Sequence, residues 1–267
     1  MAVQTDRVTA RVVSLAPSAT ETLRALGATD RLVGATHHCE TEAPAVGGWL
    51  NPDYEAVADR DPDLVLTADD LQADVAADLR ERGHDVFHAT PNTLDEVVES
   101  FADLGAAVGL PDEGEALARR ARSRLDRVRR LVPGEGGRQN DDRDGSARPV
   151  VYCEEWSEPP MVAGNWVPEV VEVAGGRYPF LDPGERSREV STAEVEAADP
   201  DHVVLHVCGH GACADPETVT DRDWDLSAIA RDDVHVVDDS LLNQPSPKLV
   251  EGVERLAALL HPDALDA

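Results

Sequence analysis

Aromatic side chains make up 4% of this 267-residue chain, with only four tryptophans, three tyrosines and three phenylalanines. In such a chain the placement of each tryptophan is informative. Basic residues are also scarce: 24 Lys and Arg stand against 53 Asp and Glu, giving a formal net charge of −29. A field of that sign repels nucleic acid and anionic membrane, leaving neutral or cationic ligands and protein partners. No apolar run approaches the ~20 residues of a membrane span. The stretch Met1 to Arg11 lacks the apolar core of a secretory signal and carries no lipid-attachment cysteine. The sequence as written therefore reads as cytoplasmic, and as extracytoplasmic if an upstream segment precedes it. The four cysteines (Cys39, Cys153, Cys208 and Cys213) are too sparse for a disulfide scaffold and lack C-x-x-C or zinc-finger spacing. There is no Gly-x-Ser-x-Gly elbow and no phosphate-binding Gly-x-x-x-x-Gly-Lys-Ser/Thr, and Gly209-His-Gly211-Ala-Cys-Ala214 lacks the third glycine of a dinucleotide fingerprint.

What is present is a phrase written twice. Glu55 to Asp63 runs through Asp61-Pro-Asp63 into the apolar Leu64-Val-Leu-Thr67, and Ala193 to Asp201 runs through Asp199-Pro-Asp201 into His202-Val-Val-Leu-His206. Each copy reads as a short acidic helix ended by proline, whose predecessor is biased toward extended conformations, followed by a buried parallel strand. Two copies predict two similar α/β lobes with a ligand cleft between them. The acidic excess is spread along the whole chain, as in proteins of salt-loving organisms, so it is read as adaptation to solvent rather than as a functional signal.

The α/β rhythm starts with a strand at Arg11 to Leu15 and a helix from Pro17, with Ser18 as N-cap, Glu21 three residues on and a stop at Gly27. It continues through a strand at Leu32 to Ala35, a helix at Leu71 to Arg82, a strand at Val86 to His88 and a helix at Thr93 to Val108 with Val97, Val98, Phe101 and Leu104 inward. Asp112 to Val132 has no strand character. It reads as one charged helix roughly 31 Å long with Leu117, Ala121, Leu125, Val128 and Leu131 along a stripe. After the aperiodic Gly134 to Arg148, the rhythm resumes with strands at Val150 to Tyr152, Val203 to Val207 and Val234 to Val237, and helices at Val167 to Ala174 and Pro247 to Leu260. The expected organisation is an N-terminal α/β lobe over 1–110, a bridging helix over 111–133, a flexible loop over 134–148 and a C-terminal α/β lobe over 149–267.

In doubly wound sheets ligands sit beyond the carboxyl ends of strands. Cys39, Cys153 and Cys208 each fall just past a predicted strand, with His37, His38, His206 and His210 nearby. This donor set suits zinc, another soft metal or an axial contact to a chelated one, and equally suits plain packing of small buried thiols. Trp49, Trp156 and Trp166 read as loop or helix-start positions, where indoles sandwich a flat ligand or plug a core. Ser18 at a helix N-terminus either holds an anionic group or only caps the helix. A metal-dependent hydrolase built from Glu154, Glu155 and His37 is the enzymatic alternative.

The residues Arg11-Val-Val-Ser-Leu-Ala-Pro-Ser-Ala-Thr-Glu-Thr-Leu23, Val46-Gly-Gly-Trp-Leu-Asn51, Glu55, Asp61-Pro-Asp63 and Trp166-Val-Pro-Glu-Val-Val-Glu-Val-Ala-Gly-Gly176 resemble the class III, helical-backbone cluster of ABC-importer substrate-binding proteins. The likeness is strongest to the vitamin B12-binding branch, and within it to members without an export signal, through Thr36-His-His-Cys-Glu40, Glu155-Trp156, Gly164-Asn-Trp-Val-Pro-Glu169 and Cys208-Gly209. The resemblance implies two Rossmann-like lobes joined by one long backbone helix. It also implies a corrinoid or other metal chelate as ligand, no covalent cofactor, no catalysis, and contacts from Ser18, Trp49, Asn51, Trp156, Asn165 and Trp166. Such proteins dock on permease arginines through two glutamates. Glu55 holds the first place, whereas the second place is Ala193 with Glu194 one step along. Gln244-Pro-Ser-Pro-Lys248 likewise stands where the branch has Arg-Pro-Gly-Pro-Arg. The runner-up reading is a cytoplasmic protein that binds a bare soft metal or cofactor through Cys39, Cys153, Cys208 and His38.

Overall fold

The computed structural model describes residues 10–132 and 148–265. The expected flexible loop over 134–148 therefore lies, apart from Arg148, outside the described residues. The chain divides into two compact units: residues 1–91 with 99–118, and residues 92–98 with 119–267.

The first unit is built on strands β1 (Val12–Ser14), β2 (Leu32–Ala35), β3 (Leu64–Ala68) and β4 (Val86–Ala89), all parallel in the order β2-β1-β3-β4. Val12 and Val13 of β1 and Val65 and Leu66 of β3 are fully buried, which is why these strands read as continuous apolar runs without alternation. Its helices are α1 (Pro17–Ala25), α2 (Tyr54–Ala58) and α3 (Ala73–Glu81), with parts of α4 (Leu94–Ala107) and α5 (Pro111–Leu131). Ser18 is not the N-cap of α1. That position falls to Ala16, which makes no side-chain cap, because Pro17 with its fixed φ occupies the first helical turn; Ser18 lies inside the turn at 6% exposure. The helix expected from Leu71 begins as a tight 3-10 turn, Asp70–Gln72, before α3 proper.

The predicted inward faces of α4 and α5 are largely present. Val97, Val98, Phe101 and Leu104 are buried on α4, as are Leu117, Ala121, Leu125 and Val128 on α5. Leu131, expected on the same stripe, is 40% exposed in the last turn. Both helices are shared, with 94–98 and 119–131 grouped in the second unit.

The second unit carries β5 (Val151–Ser157), β6 (Pro160–Val162), β7 (Arg188–Glu189), β8 (His202–Leu205) and β9 (Val234–Val236) in the order β7-β6-β5-β8-β9. β5, β8 and β9 are parallel, and β6 and β7 add an antiparallel extension absent from the sequence expectation. Around them lie α6 (Val167–Val173), α7 (Thr192–Ala198), α8 (Glu217–Thr220), α9 (Ser227–Ala230), α10 (Lys248–Leu260) and α11 (Pro262–Leu265). β5 runs on past the expected Tyr152 to Ser157, so Cys153 sits within the strand rather than beyond it.

Both copies of the repeated phrase fold alike. Asp53 caps α2 by accepting from the Glu55 and Ala56 amides, and Ser191 caps α7 by accepting from the Glu194 amide. The first aspartate of each Asp-Pro-Asp is left-handed, φ 46° at Asp61 and 39° at Asp199, and not extended as proline's bias predicts. Aspartate tolerates this region, and the reversal redirects the chain between the helix and the following strand. The last aspartate then pins the central strand. Asp63 Oδ2 accepts from the Arg11 amide at 2.7 Å just before β1, and Asp201 Oδ2 accepts from the Val150 amide at 2.8 Å just before β5. In return, the Asp63 and Asp201 amides each donate 2.8 Å bonds to the Arg11 and Val150 carbonyls.

Candidate functional site

In the first unit the carboxyl ends of the strands are tied together by one residue that no motif marks. Gln72 is fully buried; its Nε2 donates to the Leu15 carbonyl (3.0 Å) and the Trp49 carbonyl (2.6 Å), while its Oε1 accepts from the Ala68 amide (2.8 Å). Gln72 therefore ties the ends of β1 and β3 to the Trp49 loop. That loop is clamped by Val46 N to Ala35 O and Asp53 N to Val46 O, both 2.9 Å. Gly47 has φ +100°, and a Cβ there would run into the Asp53 amide, so only glycine closes the turn. Trp49 emerges half-buried and Asn51 exposed. Leu50 and Leu71 are 50% and 60% exposed on the two segments that Gln72 connects, an apolar surface the sequence reading missed. For Leu50 the signal was available as a large apolar residue in a loop, whereas Leu71 was masked by its place at the start of the expected helix.

Near the same strand ends His37 and His38 are exposed, with ring centroids 4.3 Å apart. Cys39 is buried: its Sγ lies 3.3 Å from Thr36 Oγ1 and donates to the Ser14 carbonyl at 3.9 Å. Ser18 is buried and its carbonyl accepts from Thr22 Oγ1 at 3.0 Å.

In the second unit the end of β5 is organised around Glu154, which is fully buried. It accepts from Tyr152 OH (2.8 Å), Ser157 Oγ (2.7 Å) and both terminal nitrogens of Arg222 (2.6 and 3.0 Å). Arg222 also donates to the Ser157 carbonyl at 3.0 Å and lies 4.6 Å over the Trp224 ring. A carboxylate so fully engaged has no lone pair left for acid-base work, which removes Glu154 from the hydrolase constellation. The Arg222 bond fixes the turn between β5 and β6, and beside that turn a recess of ≈ 600 Å³ is lined by Ser157, Glu158, Pro160, Asp221 and Arg222. Trp156 stands on this rigid end, 47% exposed, its indole N–H held by the Glu158 carbonyl at 2.9 Å.

The other predicted indole behaves differently. Trp166 is 4% exposed and donates to the Leu242 carbonyl at 2.7 Å, so it is a core anchor between α6 and the segment before α10, not a ligand platform. Asn165 is half-buried and left-handed (φ 53°), with its amide on the Glu185 carbonyl at 2.5 Å.

Of the thiols, Cys153 is wholly enclosed and burial pushes its pKa far up. Cys208 is exposed at the end of β8, and its thiol is raised by partial desolvation and then by Asp239 and Glu155. At both, burial disfavours the thiolate form. His206 is fully buried after β8; its Nδ1 meets Asn243 Oδ1, Asn243 Nδ2 donates to the His206 carbonyl at 2.9 Å, and Nε2 has no partner. Burial brings its pKa down to about 4, so the imidazole is neutral. The one group of three potential ligands whose donor atoms lie within 4.8 Å of one another, among the described residues, is His202, Asp233 and His235, none of which the sequence reading selected.

The two docking glutamates also differ. Glu55 is exposed in the first turn of α2. Glu194 is gripped by Arg188 through two bonds (2.5 and 3.1 Å), which hold its carboxyl below the usual range.

The family described as "Periplasmic binding protein" matches residues 12–240. The "Vitamin B12-binding protein" of Vibrio cholerae is 27% identical over 94% of this chain and 88% of its own length, and the "Cobalamin-binding protein" of Halobacterium salinarum is 29% identical over 97% and 72%. Among solved structures, a periplasmic heme-binding protein from Roseiflexus sp. RS-1 superposes with a TM-score of 0.79 at 22% identity, covering 96% of this chain and 99% of that one. The periplasmic vitamin B12-binding protein of Vibrio cholerae gives 0.71 at 24% identity, covering 94% and 97%. At those identities the structures speak for the fold, whereas the family match runs through both repeated phrases and both strand-end surfaces. The chain belongs to the periplasmic binding protein family.

Proposed function

We propose that this protein binds a metal-chelate ligand, a corrinoid by preference, and releases it unchanged, serving an ABC importer as its substrate-binding component. The observation that carries this reading is the match along nearly the whole chain to relatives named for vitamin B12 and cobalamin. The geometry gives that reading a surface. Trp156 is an exposed indole on a rigid strand end, and Trp49, with Leu50 and Leu71, supplies apolar area on a loop locked by Gln72. A broad, flat, largely apolar ring finds its contacts on such aromatic and aliphatic surfaces. Permease docking rests on Glu55, because Glu194 is already paired with Arg188.

Titration with cyanocobalamin, cobinamide and haemin, followed by tryptophan fluorescence, tests the reading. A corrinoid is expected to quench saturably, and Trp156→Ala to weaken it by about 1–3 kcal/mol. Trp166→Ala is expected instead to cost about 3–5 kcal/mol of stability as a core truncation. Saturation by haemin alone would transfer the reading to haem, and no saturable quenching by any of the three would refute it.

A further inference from the structure

At the opposite end of β8 from Cys208, His202 of β8, His235 of β9 and Asp233, which immediately precedes β9, share one face of the sheet. The parallel register pairs Val203 with Val234 and Val204 with His235. Alternation along each strand therefore puts His202, Val204, Asp233 and His235 on the same side. His202 Nδ1 lies 3.1 Å from His235 Nε2 and 4.0 Å from Asp233 Oδ1. Two nitrogens bound at about 2.0–2.1 Å to a tetrahedral ion stand about 3.3 Å apart, so the imidazoles are already near ligand spacing.

We propose that His202, Asp233 and His235 form a site for a borderline divalent cation of the Zn²⁺ type, separate from the strand-end surface that carries Trp156. Two imidazoles and a carboxylate are the donor set such ions take, with water in the remaining position. Asp233 is held in a ligating orientation, since Arg231 Nε donates to its Oδ2 at 3.1 Å and leaves Oδ1 toward His202. This is the outer-shell support that ligating carboxylates usually have. The side chains of His202 and Asp233 are 17% and 32% exposed, so an ion and its water reach them without unfolding the sheet. Asp201 and Asp232 add negative charge near the pair, while Arg231 and Arg255 oppose it. The ion would cross-link β8 to β9, a three-residue strand at the sheet's edge, and so would stabilise the second unit rather than carry ligand.

The test uses the full chain, stripped with chelator. Calorimetric titration with Zn²⁺ is expected to show one site, and thermal melting a rise with Zn²⁺. His235→Gln is expected to weaken Zn²⁺ at least about tenfold and to abolish the rise. Asp233→Asn, whose backbone bonds are untouched, is expected to weaken it less and decides the matter should His235→Gln fold poorly. His210→Gln, an exposed histidine beyond the other end of β8, should change nothing. Co²⁺ bound in place of Zn²⁺ should give a visible spectrum without a thiolate charge-transfer band. No saturable Zn²⁺ binding, affinity unchanged in both variants, or a thiolate band removed by Cys208→Ser would overturn the proposal.

Discussion

The buried Glu154–Arg222 pair offers the sharpest test of how the second unit is held together. Its carboxylate is 0% exposed and its guanidinium side chain 16%, so neither charge has much access to water. Truncating one partner leaves the other buried and uncompensated, which typically costs about 3–5 kcal/mol. Glu154→Ala should fall in that range because it strands Arg222 and also removes the acceptor for Tyr152 and Ser157. Arg222→Ala should cost a similar amount by stranding Glu154, and it also loses the 3.0 Å bond to Ser157 O that fixes the turn beside Trp156. Replacing both with methionine removes the two charges together while losing the same acceptor for Tyr152 and Ser157 as Glu154→Ala, so the double variant should be less damaged than Glu154→Ala by about 2 kcal/mol or more. The assay is equilibrium urea unfolding of all four proteins, followed by far-ultraviolet circular dichroism and by tryptophan fluorescence, with corrinoid quenching measured on each. Arg222→Ala should also blunt quenching through Trp156. Single losses below about 1 kcal/mol would refute the view that this pair is desolvated and mutually dependent.

Two further outcomes follow from charge. His206 is held by burial at about 4, below the ordinary 6.5, so the unfolded chain takes up this proton first. Its contribution is complete above about pH 6.5 and declines as pH falls toward 4, by up to about 3 kcal/mol. His206→Gln should therefore flatten the dependence of the urea midpoint on pH between about 4.5 and 7 relative to wild type; parallel slopes would count against it. The net charge of −29 predicts that the melting temperature climbs steeply as KCl is raised from about 0.1 to 3 M, and a flat series would show that self-repulsion is not limiting.

The parallel strands and the longer helices of this fold are legible in the chain because they rest on local rules, whereas β6 and β7 are not. Parallel strands buried on both faces appear as short apolar runs, and the stripe of α5 appears as a helical spacing of apolar residues that fails only at Leu131. The duplicated Asp-Pro-Asp marks the entry to β3 and to β8, and its last aspartate, one residue past the proline, ties that entry to the start of the neighbouring β1 or β5 through carboxylate and amide in both units. What the site looks like was decided by contacts the chain does not announce. Trp156 and Trp166 read alike in the sequence as ligand-facing indoles, yet one is 47% exposed and the other 4%, because the strand extends to Ser157 while the Leu242 carbonyl captures the second indole from 76 residues away. Glu154 meets Arg222 across 68 residues, Gln72 gathers three segments, and His202 meets His235 only through strand register. Periodicity and turn chemistry act over a few residues and can be read one residue at a time. Pairing register and long-range hydrogen bonds exist only once the strands have packed, so tertiary structure alone determines which side chains become surface, core or ligand.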